Sequence, residues 1–239
     1  MSARPDVTLA QRKRRLVSDE LSEAALQMLA LKGFDLVTID EIAAAAGVSK
    51  RTFFRYFASK EDVVVRFLAD LGSGIRAELA ARPVQEPPSV ALRHAVLAAM
   101  AVCADRSDHA DRALVVVRLI LRTPALRARF LEHQAQWRDD LATELAQRLG
   151  LDPGTDLYPR LAAGMALTAF DTVLQRWSAG DGAEDPAELT DRSFAVLGPA
   201  LDAAERRDAP EQGAAPSPAA DPPRSGKLPA RPRSFREHE

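Results

Sequence analysis

Along this chain apolar residues recur every three or four positions, the period of one face of an α-helix, and no stretch alternates at period two between turn signals. The pattern predicts an all-α chain. A first helix runs from a Thr8–Gln11 capping pair to Lys32, with Leu21, Ala25 and Leu29 on one face and Gly33 as its stop. Two short helices occupy Thr38–Phe57. A longer one extends from Ser59 towards Arg82, with Val63, Phe67, Leu71 and Ile75 at helical spacing. Its Gly72 and Gly74 leave two readings open, a bend or a close helix contact. Pro83, Pro87 and Pro88 break the pattern, and helices then follow over Ser89–Ala104, Asp108–Arg122, Pro124–Leu149, Tyr158–Ser178 and Pro186–Ala204. From Asp208 onward Pro, Ala, Ser and Gly dominate, which predicts a disordered tail over 208–239. Its late basic residues are compatible with an inert tail or with added non-specific DNA affinity.

The most informative stretch is Thr38–Lys60, TIDEIAAAAGVSKRTFFRYFASK. Thr38 and Glu41 form a T-x-x-E capping box, and Ile42, Ala43 and Ala46 give the short helix an inner face. Gly47 suits the left-handed residue that ends a helix, and Ser49 is a fresh N-cap for a helix over Lys50–Phe57. Phe53 and Phe57, four apart, share the buried face. The outer face offers Lys50, Arg51, Thr52, Phe54, Arg55 and Tyr56: cations, hydroxyls and a flat ring, groups that suit phosphate oxygens and base edges in a major groove. Two short helices joined by a Gly-containing turn are the layout of a DNA-reading helix-turn-helix.

Taken together these residues resemble the DNA-binding signature of the TetR family of bacterial transcriptional regulators. The resemblance rests on Ile42, Ala43, Ala46, Gly47, Val48, Ser49, Tyr56, Phe57, Ser59, Lys60 and Glu61 at fixed spacing, and it covers about the first quarter of the chain. Phe54 departs from the pattern, since members often carry Tyr there, and Arg55 can replace the lost hydroxyl with a charge-assisted contact. The resemblance implies a three-helix DNA-binding domain over 8–60 and a helical effector-binding and dimerisation domain over 61–207. It also implies a homodimer on a near-palindromic double-stranded operator, repression as the default mode, and release by a small molecule. The expected DNA-binding residues are Thr38, Ser49, Lys50, Arg51, Thr52, Phe54, Arg55, Tyr56 and Lys60. Of these, Lys50, Arg51 and Thr52 are expected at the bases, and Thr38, Arg55, Tyr56 and Lys60 at phosphates.

Charge supports a polar division of labour. The 239 residues carry a net charge of -2, but residues 1–60 hold ten Lys or Arg against seven Asp or Glu, and the rest holds 22 against 27. Arg12, Lys13, Arg14 and Arg15 at the start of the first helix read equally as a solvated basic end or as a phosphate or minor-groove contact. Cys103 is the single cysteine, no apolar run is long enough to span a membrane, and no apolar leader opens the chain, which together predict a cytoplasmic protein associated with the nucleoid through DNA. His94, His109 and His133 have no metal-ligand spacing, and neither a phosphate-cradling glycine loop nor a G-x-S-x-G occurs. No metal, cofactor or catalytic residue is therefore expected. The alternative function is a constitutive or architectural DNA-binding protein without an effector.

In the body, the seventh helix carries a stripe of Leu126, Phe130, His133, Trp137, Leu141 and Leu145, with His133 its polar member. Leu167, Phe170 and Leu174 face inward from the eighth, with Asp171 beside them, and Arg118 interrupts an apolar run. An apolar slot with few polar members is what a small-molecule pocket needs, so Arg118, His133, Trp137, Phe170 and Asp171 are the expected effector-binding residues. The run Thr123–Trp177, with TPALRARF, a mid-helix Trp and QRW before a glycine turn, is loosely similar to TetR relatives suspected of sensing acyl-coenzyme A-like ligands. This resemblance points to a fatty acyl thioester, an aromatic drug-like compound being the alternative. The dimer is expected through the last two helices, with Ala163, Phe194, Leu197 and Leu201 in a four-helix bundle.

Overall fold

The computed structural model describes residues 8–104, 110–180 and 183–208, and realises the helical period as nine α-helices with no strand among them. These are α1 (Leu9–Lys32), α2 (Ile39–Ala45), α3 (Lys50–Phe54), α4 (Lys60–Ala81), α5 (Pro88–Ala104), α6 (Ala110–Arg122), α7 (Pro124–Leu149), α8 (Leu157–Ala179) and α9 (Pro186–Asp208). No helix among the described residues is long and apolar enough to cross a membrane. The tail expected beyond Asp208, His109, and the Gln11 side chain of the proposed first cap lie outside what is described.

Local chemistry sets the boundaries. The Thr38 capping box forms in full: the Glu41 amide donates to Thr38 Oγ1 at 3.3 Å, and the Thr38 amide donates to Glu41 Oε2 at 2.9 Å. Gly47, at φ 65°, makes the reversal between α2 and α3 that a residue with a Cβ would resist. Ser49 Oγ then accepts from the Thr52 amide at 3.1 Å, and Ser59 Oγ from the Asp62 amide at 3.2 Å. Pro124 stands in the first turn of α7, and left-handed Gly150 ends it. The recognition helix is shorter than expected: regular α-helix stops at Phe54, and Arg55 and Tyr56 bond to carbonyls three residues back in a tightened turn.

α1 packs on α2, α4 and α6; α4 lies against α5 and α7; α5, α7 and α8 close the body, with α9 across α5 and α8. The buried core is continuous from Leu21 to Leu201. Phe53 and Phe57 enter it from the head, with ring centroids 5.6 Å apart. Burial of such a ring contributes about 1.5–3 kcal/mol.

Two features of α4 matter for everything downstream. Gly72 is a contact site: a Cβ there would lie 1.9 Å from Trp137 Nε1, so the indole of α7 rests directly on the α4 backbone. Gly74 faces open space, and the helix runs unbroken through both, so close packing accounts for Gly72 without a bend. At the far end, the Arg148 guanidinium of α7 donates to the carbonyls of Leu79 at 3.1 Å, Arg82 at 2.7 Å and Pro83 at 2.7 Å. It satisfies acceptors that the end of a helix leaves open.

Candidate nucleic-acid interface

The recognition helix presents the expected groups outward. Lys50, Arg51, Phe54 and Arg55 are exposed, and Thr52 and Tyr56 are half-buried beside them. Lys50 is already engaged, donating to Asp40 Oδ2 at 2.8 Å, so contact with a base or phosphate would exchange one anion for another. Thr52 and Ser49 share a hydroxyl hydrogen bond at 3.0 Å, which holds the start of α3 in one geometry. The Arg55 guanidinium lies 5.1 Å from the Tyr56 ring centroid and donates to its hydroxyl at 3.3 Å, a stacked pair that keeps a cation and a phenol together at the helix end. Exposed Phe54 stands edge-on to buried Phe53, which fixes its ring on the outer surface.

Thr38 is exposed at the start of α2, but its hydroxyl donates to Glu41 Oε2 at 2.9 Å. Glu41 also accepts from Lys32 Nζ at 2.5 Å. The Lys32 bond, aided by the backbone and hydroxyl of Thr38, holds the Glu41 carboxyl far below its usual range, at about 2. Lys60 departs from expectation. Its ammonium donates to the carbonyls of Phe34 and, at 3.3 Å, Val37, and sits 4.4 Å from the Phe34 ring centroid. It pins the loop after α1 to the start of α4, which gives this residue an internal role besides any phosphate contact.

The body gathers some of the expected effector residues and separates others. Trp137 and Phe170 are buried and meet edge-on at 6.2 Å, with Phe130 at 6.0 Å and His133 at 6.3 Å from the indole. Burial pushes the half-buried His133 imidazole down, with Glu132 opposing and Arg129 reinforcing. Arg118 is half-buried and donates from Nε to the Ser178 carbonyl at 2.8 Å, which ties α6 to α8. Asp171 accepts from Gln175 at 2.6 Å and lines a cleft of about 270 Å³ with Arg122, Phe130 and Leu131. The expected dimer contacts lie largely inside the chain. Ala163, Phe194 and Leu201 are enclosed in this chain's own core and Leu197 is half-buried, because α8 and α9 turn those faces to each other and to α5. Among the described residues of these two helices, the large apolar side chains left exposed are Leu157, Leu161 and Val196.

Sequence reasoning missed the Arg148 clamp, the Lys32–Glu41 and Lys50–Asp40 pairs, and the inward seat of Lys60. Arg148 and its acceptors are 65 to 69 positions apart, and no local pattern links them.

Residues 21–67 match the family profile of bacterial regulatory proteins of the TetR family, and residues 86–202 match the MftR C-terminal domain. The transcriptional regulator TcmR of Streptomyces glaucescens is 34% identical over 172 residues, 71% of this chain and 76% of its own length. The chain belongs to the TetR family. Among solved structures, the fatty acid degradation regulator FadR of Bacillus halodurans superposes with a TM-score of 0.58 at 25% identity, covering 76% of this chain and 94% of that one. FadR of Bacillus subtilis, solved in complex with stearoyl-CoA, shares the fold with a TM-score of 0.57 at 22% identity, over 75% and 96% of the two chains. As a TetR-family protein the chain is a DNA-binding transcriptional regulator, and its relatives are regulators rather than enzymes. The TetR profile spans the recognition helix and its flanks, the region in which Lys50, Arg51 and Arg55 face solvent.

Proposed function

We propose that the chain is a repressor without catalytic activity, that it binds a near-palindromic operator as a homodimer, and that an elongated apolar effector releases it. Residues 8–60 read DNA in the bacterial cytoplasm, and 61–207 bind the effector and the second subunit. Lys50, Arg51 and Thr52 read bases, while Ser49, Arg55, Tyr56 and the rim at Thr38 and Lys60 position the backbone. Exposed Phe54 packs against the sugar edge.

The observation that carries the effector reading is the seat of Trp137 on Gly72. Phe130, His133, Trp137 and Phe170 form an aromatic cluster whose central ring touches the helix leading from the DNA head. A ligand that enters among these rings displaces Trp137, whose indole rests on α4 at Gly72. Differential affinity for the two α4 positions is then differential affinity for DNA. The stearoyl-CoA complex of the B. subtilis relative supports a fatty acyl thioester as the leading effector, with Arg118 and Asp171 at the mouth between α6, α7 and α8. An aromatic drug-like compound is the second candidate, favoured by the aromatic cluster.

Footprinting on the DNA upstream of its own gene, followed by titration with a chain-length series of acyl-coenzyme A, tests the reading. The expected result is a symmetric footprint that one chain length erases, with Trp137 fluorescence changing over the same concentrations. Absence of binding across the series, or binding that leaves the footprint intact, rejects the acyl thioester.

A further inference from the structure

Apart from the aromatic cluster, and sharing Tyr56 with the DNA-facing surface, α1 and α4 leave a groove between them. One half, about 410 Å³, is polar: Arg14, Arg15 and Ser18 of α1 face Tyr56 and Arg66 across it. The other half, about 340 Å³, is largely apolar, with Leu26, Phe67, Leu71 and Ile75 on its walls and Val102 of α5 at its end. Asp19, Arg66 and Asp70 line both halves, so the two are continuous.

Ser18 is the unexplained member. It is 3% exposed, and its Oγ has no hydrogen-bond partner. A buried hydroxyl without a partner is unfavourable, and such exceptions call for an explanation. An oxygen of a bound ligand at the wall of the polar half supplies one. Charge narrows the ligand. Three arginines meet two carboxylates in the polar half, and the Arg66–Asp70 contact, at 3.5 Å, is long. One positive charge is left over there, while Glu78 at the apolar half disfavours a second anion. Gly74 leaves the apolar half open, since a Cβ added there would meet nothing within 4 Å.

We propose that this groove is a binding site for a monoanionic amphiphile. Its single charged headgroup, a carboxylate in the simplest case, lies among Arg14, Arg15, Ser18 and Tyr56, and its alkyl tail runs along Phe67, Leu71 and Ile75 towards Val102. The site is separate from the Trp137 cluster and does not depend on the acyl thioester reading. Because α1 belongs to the head and α4 leaves it, an occupant holds those two helices at one spacing.

The test is calorimetry of the full chain with dodecanoate below its micellar concentration, with acetate and dodecanol as probes of each half. Dodecanoate is expected to saturate at one per chain, at least tenfold tighter than either half-probe. Gly74→Leu, which fills the tail half at a position with room for it, and the exposed double variant Arg14→Gln/Arg15→Gln should each weaken it at least tenfold. Trp137→Phe should leave it within twofold. No saturable binding overturns the proposal. So does dodecanol binding as tightly as dodecanoate, or binding that Trp137→Phe abolishes and Gly74→Leu leaves intact.

Discussion

Lys60 and Arg51 show how one type of charge takes two roles. Arg51 is exposed at the start of α3, where side chains of a recognition helix enter the groove. Arg51→Ala should cost about 1–3 kcal/mol of operator affinity and relax sequence preference if it pairs with a guanine, measurable by binding-site selection. Lys60 instead spans from α4 to two carbonyls of the loop after α1. Hydrogen bonds to charged groups contribute roughly 1.5–3 kcal/mol, so Lys60→Ala should lower the urea midpoint as well as weaken DNA binding on all sequences alike. Unchanged stability in that variant would remove the internal role. Glu41 gives a pH signature. Its carboxyl is held at about 2 against an ordinary 4.5, so the ionised form stabilises the fold fully above pH 4.5, and that contribution is lost as pH falls towards 2. The stability difference between the wild type and Glu41→Gln, followed by urea titration, should shrink across that window. A difference that stays constant down to pH 2 would contradict the assignment.

At the scale of elements, Gly72 and Gly74 on α4 are two positions apart and predict opposite outcomes. Gly72→Ala drives a methyl into the indole of Trp137, and overpacking of this kind costs about 1–3 kcal/mol. Gly74→Ala meets open space and should gain roughly 0.5–1 kcal/mol from helix propensity. Thermal melts with tryptophan emission check both, and only the first should shift the emission. The sequence pattern made both glycines visible but could not rank them, because the deciding atom belongs to a helix 65 residues further on. Helix existence was legible for the opposite reason. Caps such as Thr38, Ser49 and Ser59, the proline of α7 and its closing Gly150 act on neighbours within four residues, so their signals are local. The recognition helix was overextended because Phe57 keeps the helical spacing of the buried face although the backbone has already tightened at Arg55. On the interface side, residue types identified the cations of α3, but not that Lys50 is shared with Asp40.

For the whole molecule the same distinction governs assembly. Small and apolar residues on α8 and α9 looked equally suited to a partner subunit and to the chain's own core, and the fold assigns Ala163, Phe194 and Leu201 to the core. For the proposed homodimer, the exposed Leu161 and Val196 are the candidate contacts. Leu161→Glu combined with Val196→Glu should yield folded monomers in sedimentation, whereas Leu201→Glu should unfold the chain rather than divide a dimer. A persistent dimer for the double variant would put the interface elsewhere.

The clamp of Arg148 on the last carbonyls of α4 turns that helix into a lever with a fixed fulcrum. At about 1.5 Å per residue, Gly72 lies roughly 13 Å from the Ala81 end and Lys60 roughly 31 Å from it. A push of about 1 Å applied by Trp137 at Gly72 therefore swings the Lys60 end by more than about 2 Å if α4 moves as a rigid rod. The mechanical advantage is set by where one glycine sits along 22 residues. It disappears if the fulcrum slips, so Arg148→Met should leave ligand affinity at the rings largely intact while uncoupling it from the grip on the operator.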